Sequence, residues 1–172
     1  MKNWTYKKRK TRMTFKAVAL SQPLFPPVKR IVLWACHEDR RYVQSLLVHF
    51  ASCQQTSCFV VWDTTHIPAG SLWQEEIISH LAEAHIVIPL ISADFLASPF
   101  FAQALPRLLE ASYAGSLRIL PVILRPCLFQ ESPLAPLQAA NDPSKPLSLL
   151  SLGQRELLWV KLIRTILHLS SL

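Results

Sequence analysis

"IPAGSLWQEEIISHLAEAHIVIPLIS", Ile67 to Ser92, runs a loop into a helix and the helix into a strand with almost nothing between them. Ser71 with Gln74 has the spacing of a capping box, and Glu75 and Glu76 fall in the first helical turn, where the helix dipole favours acids. Trp73, Ile77, Leu81 and Ala84 recur at helical spacing and form one apolar stripe, so Trp73 and the isoleucines read as core. "HIVIPLI" is a short continuous apolar run, the pattern of a strand buried on both faces.

The same alternation extends both ways. "RIVLWA", Arg30 to Ala35, reads as a buried strand, and Val43, Leu46, Leu47 and Phe50 then repeat as a helix with Asp39 available as N-cap. "CFVVW", Cys58 to Trp62, is β-branched and aromatic and reads as the next strand. After the opening stretch, Ser98-Pro99 has the form of N-cap and N1 of a third helix. Pro106 should break or kink that helix. "RILPVIL", Arg118 to Leu124, reads as a fourth strand, a proline-rich loop leaves room for a short fifth at "KPLSLL", and a last helix starts from Gln154. Strands alternating with helices predict an α/β fold, a parallel sheet with helices on both faces. Sites in such sheets lie beyond the carboxyl ends of the strands. Here that rim comprises the loops "CHED" (Cys36 to Asp39), "DTTHIPAG" (Asp63 to Gly70) and "SADFLAS" (Ser92 to Ser98).

Composition narrows the chemistry. The chain has 172 residues, room for one domain, and 51% of them are apolar, enough for a sizeable core. Three glycines against thirteen prolines leave no glycine-rich phosphate loop or dinucleotide turn to be written. Of the 18 basic residues, seven lie in the first 16 positions with no acid among them, which leaves eleven against the 11 acids elsewhere. The basic character therefore belongs to residues 1–28, read as a tail, and not to the domain read over 29–172. Such a block is usually a solvated arm; Lys7, Lys8, Arg9, Lys10 and Arg12 would otherwise meet nucleic acid or an anionic membrane. No leader is read, because "TFKAVALSQP" after the basic start is too short and too interrupted an apolar run, and no membrane span, because Pro89, Asp94, Ser98, Pro99 and Gln103 interrupt Ile86 to Leu105. Four cysteines without paired metal spacing suggest reduced thiols in the cytoplasm.

These residues resemble the Toll/interleukin receptor (TIR) domain family. "IVLWACHED" stands where the family has its first box, a strand followed by a small polar residue and an acid. "VWDTTHIPAGSLWQEEIISHLAEAHIVIPLISADFLAS" is similar to bacterial members at Trp62, Asp63, Ile67, Gly70, Trp73, Glu76, Ile77, Leu81, Ala84, Ser92, Phe95, Leu96 and Ser98. "RILPVILRPC" is similar to their fourth strand and its exit, and the likeness covers roughly residues 29 to 168. The resemblance implies a flavodoxin-like, five-stranded parallel sheet and assembly with other TIR domains or with itself. It places the main assembly loop at Thr64, Thr65, His66, Ile67, Pro68, Ala69 and Gly70. It places a nucleotide pocket around Cys36, His37, Asp39, Asp63, Trp73 and Phe101.

In many bacterial members the resemblance also implies cleavage of the glycosidic bond of NAD, with a glutamate on the third helix, where a carboxylate can engage the ribose and stabilise the charge that develops. Counting from Ser98, that place holds Leu105, and the place of a frequent tryptophan holds Phe101. Trp34 and Ala35 also depart from the first box. Glu110 and Asp94 are the fallback carboxylates for a displaced centre. The expectation is a signalling or defence protein that works by association, without cofactor, metal or catalysis of its own. NAD cleavage by a displaced carboxylate and nucleotide binding without cleavage are the alternatives. Cys36 and His37 form a nucleophile and base only on paper, since neighbours in a loop rarely meet in that geometry. His66 reads as exposed rather than as a ligand; His37, His80 and His85 fall on separate elements. A phosphoacceptor receiver domain would need Asp where Ser92 ends the third strand.

Overall fold

The computed structural model describes residues 28–53 and 59–170. Residues 1–27 of the tail read over 1–28, and Cys58, lie outside the described residues. Strands β1 (Lys29–Trp34), β2 (Phe59–Asp63), β3 (Ile86–Ile91), β4 (Arg118–Ile119) and β5 (Val122–Ile123) form one parallel sheet in the order β2-β1-β3-β4, with β5 also on β3. Helices α1 (Arg40–Cys53), α2 (Trp73–Ala82), α3 (Ala93–Ala97), α4 (Pro99–Tyr113) and α5 (Leu152–Ser170) cover it. The strand period of two sorts the core. Ile31, Leu33, Ile86, Ile88 and Leu90 pack against α1 and α5 through Leu46, Phe50, Trp159 and Ile163. Val32, Trp34, Val87 and Ile91 pack on the other face with Ile77, Leu81, Phe101, Leu105 and Leu108.

The sheet has five parallel strands, but the fifth is not at "KPLSLL", where Leu147–Leu149 make a 3₁₀ turn. "RILPVIL" instead splits into β4 and β5. Ile86 pairs with Arg118 and Leu90 with Val122, the same register on both sides of the gap, which sets Pro89 opposite Pro121. Neither proline has an N–H to give, so the ladder lapses there. Beyond β5 a side chain stands in for a further strand. Asn141 Oδ1 accepts from the Ile123 N–H (2.9 Å), and its Nδ2 donates to the carbonyls of Ile123 (3.2 Å) and Lys145 (3.1 Å).

Four local readings are corrected. Asp39 is not the α1 N-cap: it closes a 3₁₀ turn, His37–Asp39, and its carboxylate is drawn into the interior by partners on other strands. Ser71 caps nothing, because α2 begins after Leu72 and the Ser71 N–H closes a turn onto the Pro68 carbonyl (3.2 Å). "SADFLAS" is not a loop but the short helix α3, N-capped by Ser92, whose Oγ accepts from the Phe95 N–H (3.2 Å). Pro106 does not end α4. Pro106 and Ala102, whose carbonyl loses its partner, are both exposed, so water can satisfy the carbonyl.

Asn141→Ala would leave the buried Ile123 N–H and carbonyl unpaired and should destabilise the fold by about 2–3 kcal/mol, read from the denaturant midpoint. Asn141→Asp keeps the acceptor but not the donor and should fall between the two.

Candidate functional site

The carboxyl ends of the strands are held together by one buried acid. Asp39 has no solvent exposure. Its Oδ2 accepts from Ser92 Oγ at the end of β3 (2.5 Å), and its Oδ1 accepts from Arg125 Nε just past β5 (3.0 Å). The other face of the Arg125 guanidinium pairs with Asp94 on α3. Hydrogen bonds to Asp94 and then Asp39 push Arg125 further into its charged form. A second tie closes the β1–β2 side. Thr64 Oγ1 accepts from the Ala35 N–H (2.9 Å) and donates to the Ala35 carbonyl (2.8 Å), while the Thr64 N–H reaches the Leu33 carbonyl (3.1 Å). Thr64 thus continues the β1–β2 ladder past the end of the strands.

Between these ties lies a pocket of about 250 Å³. Its walls are aromatic. Trp34 meets Phe95 (5.1 Å between centroids), Phe101 (5.6 Å) and Phe100 (6.1 Å), and Trp73 stands edge-on to Phe100 (5.3 Å). Of the residues expected around a nucleotide, Cys36, His37, Trp73 and Phe101 line it, as do Thr64 and Ile67 of the loop. Asp39 and Asp63 do not. Asp39 is spent on Ser92 and Arg125; Asp63 turns into the loop, accepting from the Thr65 N–H (3.0 Å) and Thr65 Oγ1 (2.6 Å) and pairing with His66. Among the described residues, no carboxylate lines the pocket. Leu105 is buried in the apolar core beneath it. Glu110 is exposed on α4, and Asp94 is committed to Arg125.

Trp73 corrects the core reading of the α2 stripe: Ile77 and Leu81 are buried, but Trp73 is 49% exposed and Ile78 42%. Trp73 is the first helical residue and overhangs the pocket instead of entering the sheet interface. Next to it Leu72 is 69% exposed, and Pro68, Ala69 and Gly70 are exposed with it. Gly70 has φ +89°, so the turn into α2 uses a conformation that favours glycine. Ile67 is half-buried against the core. The histidines are dispersed: His80 stacks on Trp62 (4.0 Å), and His85 Nδ1 accepts from the Arg30 N–H (3.2 Å). No group of three His, Cys, Asp or Glu among the described residues could hold a metal. The cation at the centre of the rim, Arg125, was not singled out from the sequence; the available signal was a charged residue directly after an apolar strand.

A parallel α/β domain of order 2-1-3-4, with its loops and aromatic pocket at the carboxyl rim, has the flavodoxin-like architecture. The TIR domain family model matches residues 31–151, and the chain belongs to that family, whose domains serve in signalling. Uncharacterized protein y4lF of Sinorhizobium fredii (strain NBRC 101917 / NGR234) is 26% identical over 113 residues, which are 65% of this chain and 35% of that protein. The crystal structure of the TIR domain of the Toll-related receptor TRR-2 from Hydra magnipapillata matches with a TM-score of 0.53 and 22% identity, over 79% of this chain and 96% of that one. This chain and the Hydra domain share the fold. No described helix is long and apolar enough to cross a membrane.

Cys36 tests the pocket's chemistry. Burial first, then the charges of Glu38, Asp39 and Asp94, push its thiol up to about 11, against a smaller opposing effect of Arg125. A raised thiol is protonated and a poor nucleophile at neutral pH. Alkylation at Cys36, followed by peptide mass spectrometry, should be slow at pH 8 and accelerate toward pH 11. Rapid labelling at pH 7 would contradict the assignment.

Proposed function

We propose that this TIR domain acts in the cytoplasm, in a signalling or defence pathway, by associating with a second copy or another TIR domain through the loop Thr64–Gly70, and that it does not cleave NAD. The observation that carries the reading is the pocket at the rim, which has aromatic walls and no carboxylate among the described residues. An NAD glycohydrolase needs a carboxylate facing the ribose, and losing such a group commonly costs several kcal/mol of transition-state stabilisation. Leu105, at the place the family resemblance gives to that group, supports the same reading by its burial in the core. Neither fallback favours a displaced centre: Glu110 lines no part of the pocket, and Asp94 lines none of it either and pairs with Arg125. Association is supported by the apolar exposure around the loop, where Pro68, Ala69, Leu72 and half of Trp73 face solvent together. Nucleotide binding without cleavage is the second reading, favoured by the half-exposed ring of Trp73 at the pocket mouth. The basic tail, on the same proposal, adds loose, salt-sensitive contact with polyanions.

The test uses the purified chain and a form lacking residues 1–28, each followed by sedimentation and by nicotinamide release from NAD at concentrations that favour assembly. Release should stay near background, and removal of the tail should abolish retention on DNA or acidic vesicles at low salt without changing the melting temperature. Pro68→His should shift the chain toward monomer while stability stays within about 0.5 kcal/mol, as expected of an exposed site. Ile67→Asp should weaken association too, and should also lower stability because the side chain packs inward. Robust release abolished by Glu110→Gln would overturn the non-catalytic reading, and unchanged sedimentation of Pro68→His would overturn the role of the loop.

A further inference from the structure

His66 sits in the loop between β2 and α2 with partners on both ring nitrogens. Nδ1 lies 2.9 and 3.0 Å from the two Asp63 oxygens, and Nε2 lies 3.2 Å from Arg40 Nη2. A guanidinium only donates and a carboxylate only accepts. One protonation state satisfies both contacts: a neutral ring with its hydrogen on Nδ1 and a bare Nε2 lone pair. Arg40 is the first residue of α1, where the helix dipole disfavours a cation, and its side chain has no other hydrogen bond or ion pair among the described residues.

We infer that His66 is a proton-sensitive latch that ties the loop Thr64–Gly70 to the first turn of α1 when neutral and releases it when protonated. Protonation places an N–H on Nε2, aimed at a guanidinium. Two donors of like charge cannot share that contact, so Arg40 leaves. The Asp63 side holds, because imidazolium pairs with a carboxylate at least as well as imidazole does and Thr65 fixes Asp63 from its backbone and its hydroxyl. The charged groups facing the ring are Asp63 from the end of β2 and Arg40 from α1; the Thr65 hydroxyl, 3.4 Å from Nδ1, is the remaining polar neighbour. Acid therefore frees the loop from α1 while Thr64 still holds it to β1. The latch stands on the ring geometry alone. That its opening tunes association rests on the assembly reading above.

The direct test is the nitrogen NMR spectrum of His66 in the full chain, labelled on histidine. At pH 7.5 Nδ1 should be protonated and Nε2 bare; a neutral ring with the hydrogen on Nε2 would overturn the latch. Amide exchange over residues 65–70 supplies the second reading. At pH 7.5 Arg40→Gln should exchange faster than the native chain by a factor on the order of five, the scale of one lost hydrogen bond. In acid, once the nitrogen spectrum shows both ring nitrogens protonated, the two should coincide. Equal exchange at pH 7.5, or a difference that persists once the ring is seen to be doubly protonated, would overturn the latch. Sedimentation across the same range separates the two readings: a latch that opens while association stays constant leaves the latch standing and removes the loop from the interface.

Discussion

A carboxylate with no access to solvent governs this rim. An unpaired charge at the position of Asp39 would be severely penalised, since burial of an ion costs several kcal/mol even after relaxation. Ser92 and Arg125 remove that penalty, one from the end of β3 and one from the exit of β5, while Asp39 itself follows β1. Three neighbouring strand ends are thereby fixed by a single side chain. Asp94 takes the remaining face of Arg125 and anchors α3 to the same point. Thr64 does for the β1–β2 side what Asp39 does for the other, through backbone contacts instead of charge.

The rim's chemistry follows from how its acids are spent. Asp39 is committed to holding strands, Asp63 to shaping the loop, and Asp94 to Arg125, so none of the three faces the pocket. The pocket is left with aromatic walls and a thiol that burial keeps protonated. Such a surface can stack and exclude water, and among the described residues it presents no carboxylate. The exposed apolar residues Pro68, Ala69, Leu72 and half of Trp73 lie beside it, along the loop and the start of α2.

Much of this was legible locally. The continuous apolar runs of β1 and β3 and the helically spaced positions Ile77 and Leu81 of α2 are written in the sequence and are buried. What was not legible depended on partners distant in the chain. Asp39 looks like an N-cap until Ser92, 53 residues on, and Arg125, 86 residues on, are brought to it. The split of the fourth strand depends on Pro89 meeting Pro121 across the ladder, and the missing edge strand on Asn141 imitating one. Trp73 has the spacing of a core residue, yet it is the first residue of its helix and hangs over a pocket that periodicity cannot see.

The central claim is that the rim is held by the charge on Asp39 meeting Arg125, and its most direct test is the unfolding free energy of Arg125→Met against the native chain by urea denaturation at neutral pH. Stranding a buried carboxylate should cost about 3 kcal/mol or more, and Arg125→Met combined with Asp39→Asn should recover part of it, because the charge is then gone. A loss below about 0.5 kcal/mol for Arg125→Met, the range of an ordinary surface change, would show that the rim does not depend on this contact.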